Sequence, residues 1–427
     1  MITHNILIGG KWVKSSSGET FESVNPATEK PLGLFQAGTS HDVEQAVDAA
    51  EKALPAWRDL PAPKRGEILL KIAQKLRKHK EELARLVTME MGKVISEAHG
   101  DVQEAIDITE YMAGEGRRLH GHTTPSELRD KFCMTIRMPI GVVGLITPWN
   151  FPTAIPAWKL MPALICGNTV VFKPASDTPL CAIELVKIME SAGLPPGAVN
   201  LVTGSGGSVG TAMVKHKSIG GISFTGSRAV GEFVSREAGL KKVGLELGGK
   251  NGIIIMDDAD PELALDGVIW GAFGTTGQRC TAASRVIVHK NIKSRFEKML
   301  LSRTLKLRLG DGLKPSTDVG PLINRSAQRK VHYYTGIGMS EGAKLLCGGA
   351  PVKGRGFFYK PTLFPDVTPE MHIAQEEIFG PILCVLTYDG EDEAVRIANS
   401  TIYGLASGVW SEDRERALSL LEFTKMA

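Results

Sequence analysis

From residue 139 onward this chain alternates short runs of Val, Ile and Leu with longer helical segments, and few folds accommodate that pattern. Short apolar runs stand at 141–147, 169–172, 199–202, 220–224 and 243–247, and the first two are nearly continuous in Val, Ile, Leu and Phe. Strands of that kind are buried on both faces. Between them, residues 179–192, 208–215 and 227–238 read as helices. The alternation predicts a doubly wound α/β domain with a parallel sheet, whose ligands gather at the carboxyl ends of the strands. A second α/β region is expected from about Gly248. Its strands are 252–256, 285–289 and 382–388, its helices lie near 261–275, 292–301 and 325–341, and a Gly/Pro-rich insertion covers 348–361.

The amino-terminal third differs. Residues 6–35 suggest short strands and turns, and from about Ser40 to Leu119 the pattern is helical. There Ile68, Leu69, Ile72, Leu76, Leu83 and Leu86 recur at helical spacing among Lys, Arg and Glu, the signature of an amphipathic surface layer. Residues 121–139 alternate loosely (Phe132, Met134 and Ile136 between Lys131, Cys133, Thr135 and Arg137) and predict a projecting β-hairpin.

Composition excludes some functions. The 427 residues carry 50 basic and 47 acidic side chains, interspersed, for a net charge of +3. That balance gives no footprint for nucleic acid or for a membrane surface. The most apolar stretch, 151–172, is interrupted by Pro152, Pro156, Pro162 and Lys159, so it reads as a buried helix running into a strand. The opening MITHNILIGGKWV lacks the basic, apolar and small-residue blocks of a secretory leader. Six cysteines are scattered without a CxxC, and the histidines do not cluster beyond His120 and His122, so no metal site is expected. So few cysteines suit a reducing, cytoplasmic compartment and a free thiol.

Three residues carry chemistry. Cys280 in GQRCTA lies on a polar turn beside Arg279, where a thiolate nucleophile is served by a neighbouring cation. Glu246 in LELGGK stands among apolar residues at a strand end, where burial is expected to raise its pKa toward that of a general base; the alternative is a buried ion-pair partner. Asn150 in TPWNF follows the 141–147 strand and offers an amide to a developing oxyanion, or is simply a turn residue.

Together with their neighbours these residues form a recognisable set. PWN at 148–150, FKPAS at 172–176, FTGS at 224–227, LELGGK at 245–250, GQRC at 277–280 and EEIFGP at 376–381 resemble the aldehyde dehydrogenase superfamily in order and spacing, including the 34 positions (280 − 246) from Glu246 to Cys280. The resemblance spans essentially the whole chain. It implies a two-domain α/β protein: residues 1–120 and 140–247 bind the dinucleotide, 121–139 form an oligomerisation hairpin, and 248–427 form the catalytic domain.

The resemblance also implies roles. Cys280 attacks the aldehyde, Asn150 and the Cys280 N–H hold the oxyanion, hydride passes to NAD or NADP, and water activated by Glu246 releases the acid. Lys173 binds the adenosine ribose and helps position the catalytic groups. Thr147, Pro148, Trp149, Ser176, Gly206, Gly210, Phe224, Gly226, Ser227, Gly248, Glu377 and Phe379 complete the cofactor set, and Phe151 and Arg279 face substrate. The run Gly204 to Gly210 does not satisfy GxGxxG, so the pyrophosphate is assigned to the helix opened by Gly226 and Ser227.

Two positions refine this reading. Where NAD-preferring relatives often carry a glutamate, this chain has Ser176, with Asp177 beside it. Removing a carboxylate that would cost on the order of several kcal/mol against a 2′-phosphate admits NADP. Arg279 suggests an aldehyde with an anionic tail, a semialdehyde, since guanidinium suits carboxylate or phosphate; the alternative is a structural arginine or one that lowers the thiol pKa. Family members normally continue beyond a segment like 403–423 with another strand, a Gly-rich substrate loop and an oligomerisation strand. A homodimer or homotetramer is expected where these are present. Two other function classes stay open: a cofactor-free thiol esterase built on Cys280 and Glu246, and a non-catalytic structural relative.

Overall fold

The computed structural model describes residues 1–425. The chain divides into two compact units, one comprising Met1–Val24, Pro31–Glu90 and Ala98–Glu246, the other Asn25–Lys30, Met91–Glu97 and the chain from Leu247 onward.

The first unit is built on a seven-stranded sheet. Its five parallel strands run, side by side, Lys242–Glu246, Ile219–Thr225, Val142–Ile146, Thr169–Lys173 and Val199–Leu201; the antiparallel pair Ile6–Ile8 and Lys11–Val13 extends the far edge. In chain order the parallel strands read fifth, fourth, first, second, third. The winding therefore reverses between Val142–Ile146 and Ile219–Thr225, and a doubly wound sheet opens its crevice at that point. Val142–Ile146 and Thr169–Lys173 are buried at every residue, as uninterrupted apolar runs require. The helix Ala154–Ile165 and the strand after it replace any membrane span, and among the described residues no helix is long and apolar enough to cross a membrane.

Four helices, Ser40–Asp59, Ala62–Lys78, Lys80–Met91 and Ile95–Glu115, make up the expected helical layer. The first opens with a capping box: Thr39 accepts from the Asp42 N–H while the Asp42 carboxylate receives the Thr39 N–H. The 121–139 hairpin is only two residues deep, Thr123–Thr124 against Cys133–Met134, and is exposed throughout.

The second unit holds a five-stranded parallel sheet in the order Thr362–Phe364, Ile382–Tyr388, Ala283–His289, Asn251–Ile255, Ser407–Trp410. Its core gathers Val268, Phe273, Val286, Phe296 and Leu383 between the sheet and the helices Pro261–Phe273 and Lys290–Leu305. Two short segments read with the first domain belong to this unit instead. Met91–Glu97 is tied to it by the Ile95 N–H on the Gly312 carbonyl and by Glu97 on Thr275. Asn25–Lys30 is tied by Glu29, which receives the Gly356 N–H at 2.9 Å and pairs with Arg325, and by the Phe357 N–H on the Pro26 carbonyl.

Candidate active site

At the carboxyl edge of the first unit's sheet four strand ends present motif residues. Thr147, Pro148, Trp149 and Asn150 follow Val142–Ile146; the Thr147 N–H donates to the Lys173 carbonyl at 3.2 Å, which joins two of those ends. Asn150 is buried, and the Asp101 carboxylate caps the following helix by accepting the Ala154 N–H at 2.7 Å. Lys173, only 4 % exposed, donates from Nζ to the Pro174 carbonyl at 2.8 Å. Burial draws its pKa down to about 8, against the opposing pull of Asp177. Gly210 lies against the same side chain, 3.8 Å from Lys173 Cδ to where a Cβ would stand, within the turn Gly206–Gly210 that Ser205 caps. Ser176 donates to the Gly204 carbonyl at 3.0 Å.

After Ile219–Thr225 comes the second arm of the crevice. The Gly226 N–H donates to the Glu246 carbonyl at 3.0 Å. A Cβ on Gly226 would stand 2.5 Å from Phe224 Cζ, so a larger residue there would displace the Phe224 ring. Ser227 is the N-cap of Arg228–Glu237 and makes no side-chain capping bond. A helix N-terminus carries first-turn N–H groups without intrahelical partners, and such groups can receive a phosphate.

In the second unit three motifs converge on the amino edge of its sheet. Asn251 donates from Nδ2 to the Cys280 carbonyl at 2.6 Å and to the Ala282 carbonyl at 3.1 Å, clamping the thiol-bearing turn to the next strand. The Gly249 N–H donates to Glu377 at 3.3 Å, and a Cβ on Gly248 would stand 2.2 Å from the Glu377 carboxylate. Gly248 therefore lets the carboxylate lie on the backbone. Burial raises the pKa of Glu377, opposed by Lys330, the Gly249 N–H and Lys250. Phe379, at φ +58°, turns the chain beside it, and Gly277 packs on the Gly380 carbonyl.

The turn before Cys280 is strained. Thr275 and Thr276 lie at φ +50° and +58°, a left-handed region that costs β-branched residues about 1–3 kcal/mol each. Gln278, fully buried, braces the turn: its Oε1 accepts the Ile323 N–H at 2.9 Å.

The Aldehyde dehydrogenase family model matches residues 12–426. This chain belongs to that family. It is 44 % identical to alpha-ketoglutaric semialdehyde dehydrogenase of Bacillus subtilis (strain 168), over 98 % of this chain and 88 % of the relative. It is 42 % identical to alpha-ketoglutarate semialdehyde dehydrogenase of Haloferax volcanii, over 96 % and 86 %. The crystal structure of betaine aldehyde dehydrogenase from Staphylococcus aureus in complex with NAD+ superposes with a TM-score of 0.98 at 36 % identity, covering all of this chain and 86 % of that one. The chain is an NAD(P)-dependent enzyme that oxidises an aldehyde to a carboxylic acid through a catalytic cysteine.

For an aldehyde dehydrogenase, two of the expected site residues stand differently from their sequence reading. Glu246 is exposed and not buried, because Lys242–Glu246 is the edge strand of its sheet and pairs only with Ile219–Thr225. Arg279 is turned inward. Its guanidinium donates to the Trp270 and Gly271 carbonyls at 2.6 and 3.1 Å, stacks on the Trp270 ring and is 7 % exposed. The structural alternative for Arg279 fits this geometry, and the anion-binding one does not. Phe151 is half-buried at the start of the helix that follows Asn150.

Three residues escaped the sequence reading. Lys159 is buried, donates to Ser223 Oγ at 2.8 Å, and is drawn down to about pKa 8 by burial while Glu246 opposes the shift. A lysine amid 22 otherwise apolar-rich positions was the available signal. Lys330, on the helix Arg325–Ser340, faces Glu377, as its electrostatics show. Glu90, fully buried, receives the Leu180 and Cys181 N–H groups at 2.8 Å each and so fixes the helix that begins just after Asp177.

Proposed function

We propose that Cys280 is the nucleophile, that Asn150 and the Cys280 N–H hold the oxyanion, and that Glu246 activates the water that releases the acid. The observation that carries this reading is local. The residues implied by the family motifs fall on two sheet edges, where Asn251 holds the Cys280 carbonyl, the Gly226 N–H holds the Glu246 carbonyl, and Gly248 makes room for Glu377. Exposure of Glu246 leaves its carboxylate open to water, which a general base for hydrolysis requires. Lys173 and Ser176 are assigned to the adenosine ribose, Gly226 and Ser227 to the pyrophosphate, and Glu377 and Phe379 to the nicotinamide ribose. When bound, NAD(P) accepts the hydride; the chain supplies the thiol, the oxyanion donors and the base. Cys280→Ser abolishing NAD(P)H formation at 340 nm, with Asn150→Ala lowering kcat on the order of a hundredfold, supports the assignment. A thiol esterase would instead release acid without NAD(P)H.

The substrate is assigned to semialdehydes with an anionic tail. Relatives named for alpha-ketoglutarate semialdehyde stand at 44 % and 42 % identity, and one named for 2,5-dioxopentanoate, the same compound, at 40 %. Since betaine aldehyde dehydrogenase of Bacillus subtilis is 40 % identical, the deciding assay compares 2-oxoglutarate semialdehyde with betaine aldehyde and butanal. Higher kcat/KM for either of the last two overturns the assignment. The exposed hairpin is assigned to self-assembly, and the chain to the cytoplasm.

A further inference from the structure

The turn that delivers Cys280 holds two successive threonines in the left-handed region, and both are buried. Such a turn persists only where its surroundings over-determine it. The group that grips it comes from a remote part of the chain. Glu97, separated from Thr275 by 178 positions, receives the Thr275 N–H on both carboxylate oxygens, at 2.8 and 2.9 Å, and the Thr275 hydroxyl at 3.2 Å. The same carboxylate faces the Arg279 guanidinium, whose charge it sustains. Where Gly274 has only hydrogen, a Cβ would stand 3.0 Å from both Glu97 Oε1 and Arg279 Nη2. Glu97 thus bonds the turn on one side of the thiol-bearing loop and acts electrostatically on Arg279, the residue next to Cys280, on the other.

We infer that Glu97 is a positioning residue for the nucleophile: it holds the strained Thr275–Thr276 turn and Arg279 so that Cys280 is presented in its reactive place. In this role Glu97 acts through the Thr275 turn and through Arg279. A carboxylate suits the task because its two oxygens accept a backbone N–H and a hydroxyl at once, and because its charge remains balanced by Arg279. The inference rests on the reading of Cys280 as nucleophile.

The test uses the full-length enzyme with saturating aldehyde. Glu97→Ala is expected to lower kcat on the order of a hundredfold, the effect of a displaced reacting group, while the KM for NAD(P) changes by less than about twofold. Glu97→Gln keeps an acceptor for the Thr275 N–H and is expected to recover most of that loss, staying within roughly tenfold of the parent. Thr275→Gly supplies a residue that adopts positive φ without strain, so Glu97→Ala should cost less in the Thr275→Gly background than alone. Should Glu97→Ala fail to fold, the comparison of Glu97→Gln with the parent and with the Thr275→Gly background carries the test. The inference is overturned if Glu97→Ala keeps kcat within about threefold, or if its cost is the same in both backgrounds. Turnover by Cys280→Ser would instead remove the nucleophile reading beneath it, and iodoacetamide labelling of Cys280 separates the two: a positioning defect slows labelling, whereas a wrong nucleophile leaves it without effect on activity.

Discussion

The Arg279 guanidinium lies on the Trp270 ring, 3.9 Å from its centroid, and donates to the Trp270 carbonyl of the same residue. A cation held this way has its donors directed at the end of the helix Pro261–Phe273, not at an incoming carboxylate. Arg279, the residue before Cys280, is therefore part of the scaffold that fixes the loop.

This relationship predicts that Arg279→Ala leaves substrate choice alone. The ratio of kcat/KM for 2-oxoglutarate semialdehyde over butanal should change by less than about threefold. Stability should fall by about 2–4 kcal/mol, since a buried cation–π contact and two carbonyl bonds are lost together. Urea denaturation and the two-substrate comparison check both halves. Loss of the acid preference would return Arg279 to the substrate site.

Cofactor choice should turn on Ser176. Its hydroxyl donates to the Gly204 carbonyl, and the neighbouring Asp177 acts on Lys173. The enzyme should use NADP with a kcat/KM at least comparable to that for NAD. Ser176→Glu should depress the NADP value by on the order of a hundredfold with little change for NAD, because a carboxylate is then set against the 2′-phosphate. A parent enzyme that favours NAD by that margin would refute the assignment.

Much of this architecture was legible in the sequence because the strands are buried on both faces. Ile382–Tyr388 and Thr169–Lys173 stand where the apolar runs place them, to within a residue. The failures have physical causes. The run at 243–247, Val-Gly-Leu-Glu-Leu, alternates, unlike the continuous runs grouped with it, and Lys242–Glu246 is an edge strand of alternating exposure, so Glu246 is exposed. Thr362–Phe364 and Ser407–Trp410, three and four residues long, carry too short a pattern to be distinguished from loop. The fate of Arg279 depends on Trp270, nine positions earlier, which becomes its neighbour only when the helix ends between them. The remote grip of Glu97 on Thr275 lies beyond any local pattern.

The hairpin segment predicts assembly. Phe132, Met134, Ile136, Met138 and Ile140 are each more than half exposed, an apolar ladder at every second position. An edge of this kind pairs with another strand unless charge blocks it. Ile136→Lys combined with Met138→Lys should shift the sedimentation coefficient toward that of a single chain. An unchanged assembly would place the contact elsewhere.

Lys250 should make stability depend on alkaline pH. Its side chain is fully buried in the LELGGK turn, and Nζ finds no hydrogen-bond partner among the described residues. Burial is the largest cause drawing its pKa from 10.5 to about 8, with Arg285 and Lys330 acting in the same direction and Cys384 and Glu377 opposing. The unfolded chain then binds the proton more tightly than the folded one. The sign follows: stability is penalised below about pH 8 and recovers as pH rises toward about 10.5. The full penalty is about 3 kcal/mol. Lys250→Met fills the same volume without a charge, so it should be more stable than the parent at pH 7 by roughly 2–3 kcal/mol. The difference should shrink steadily as urea midpoints are measured from pH 8 to pH 10. A variant less stable than the parent at pH 7 would show instead that the ammonium is satisfied in solution, by water or by a bound anion.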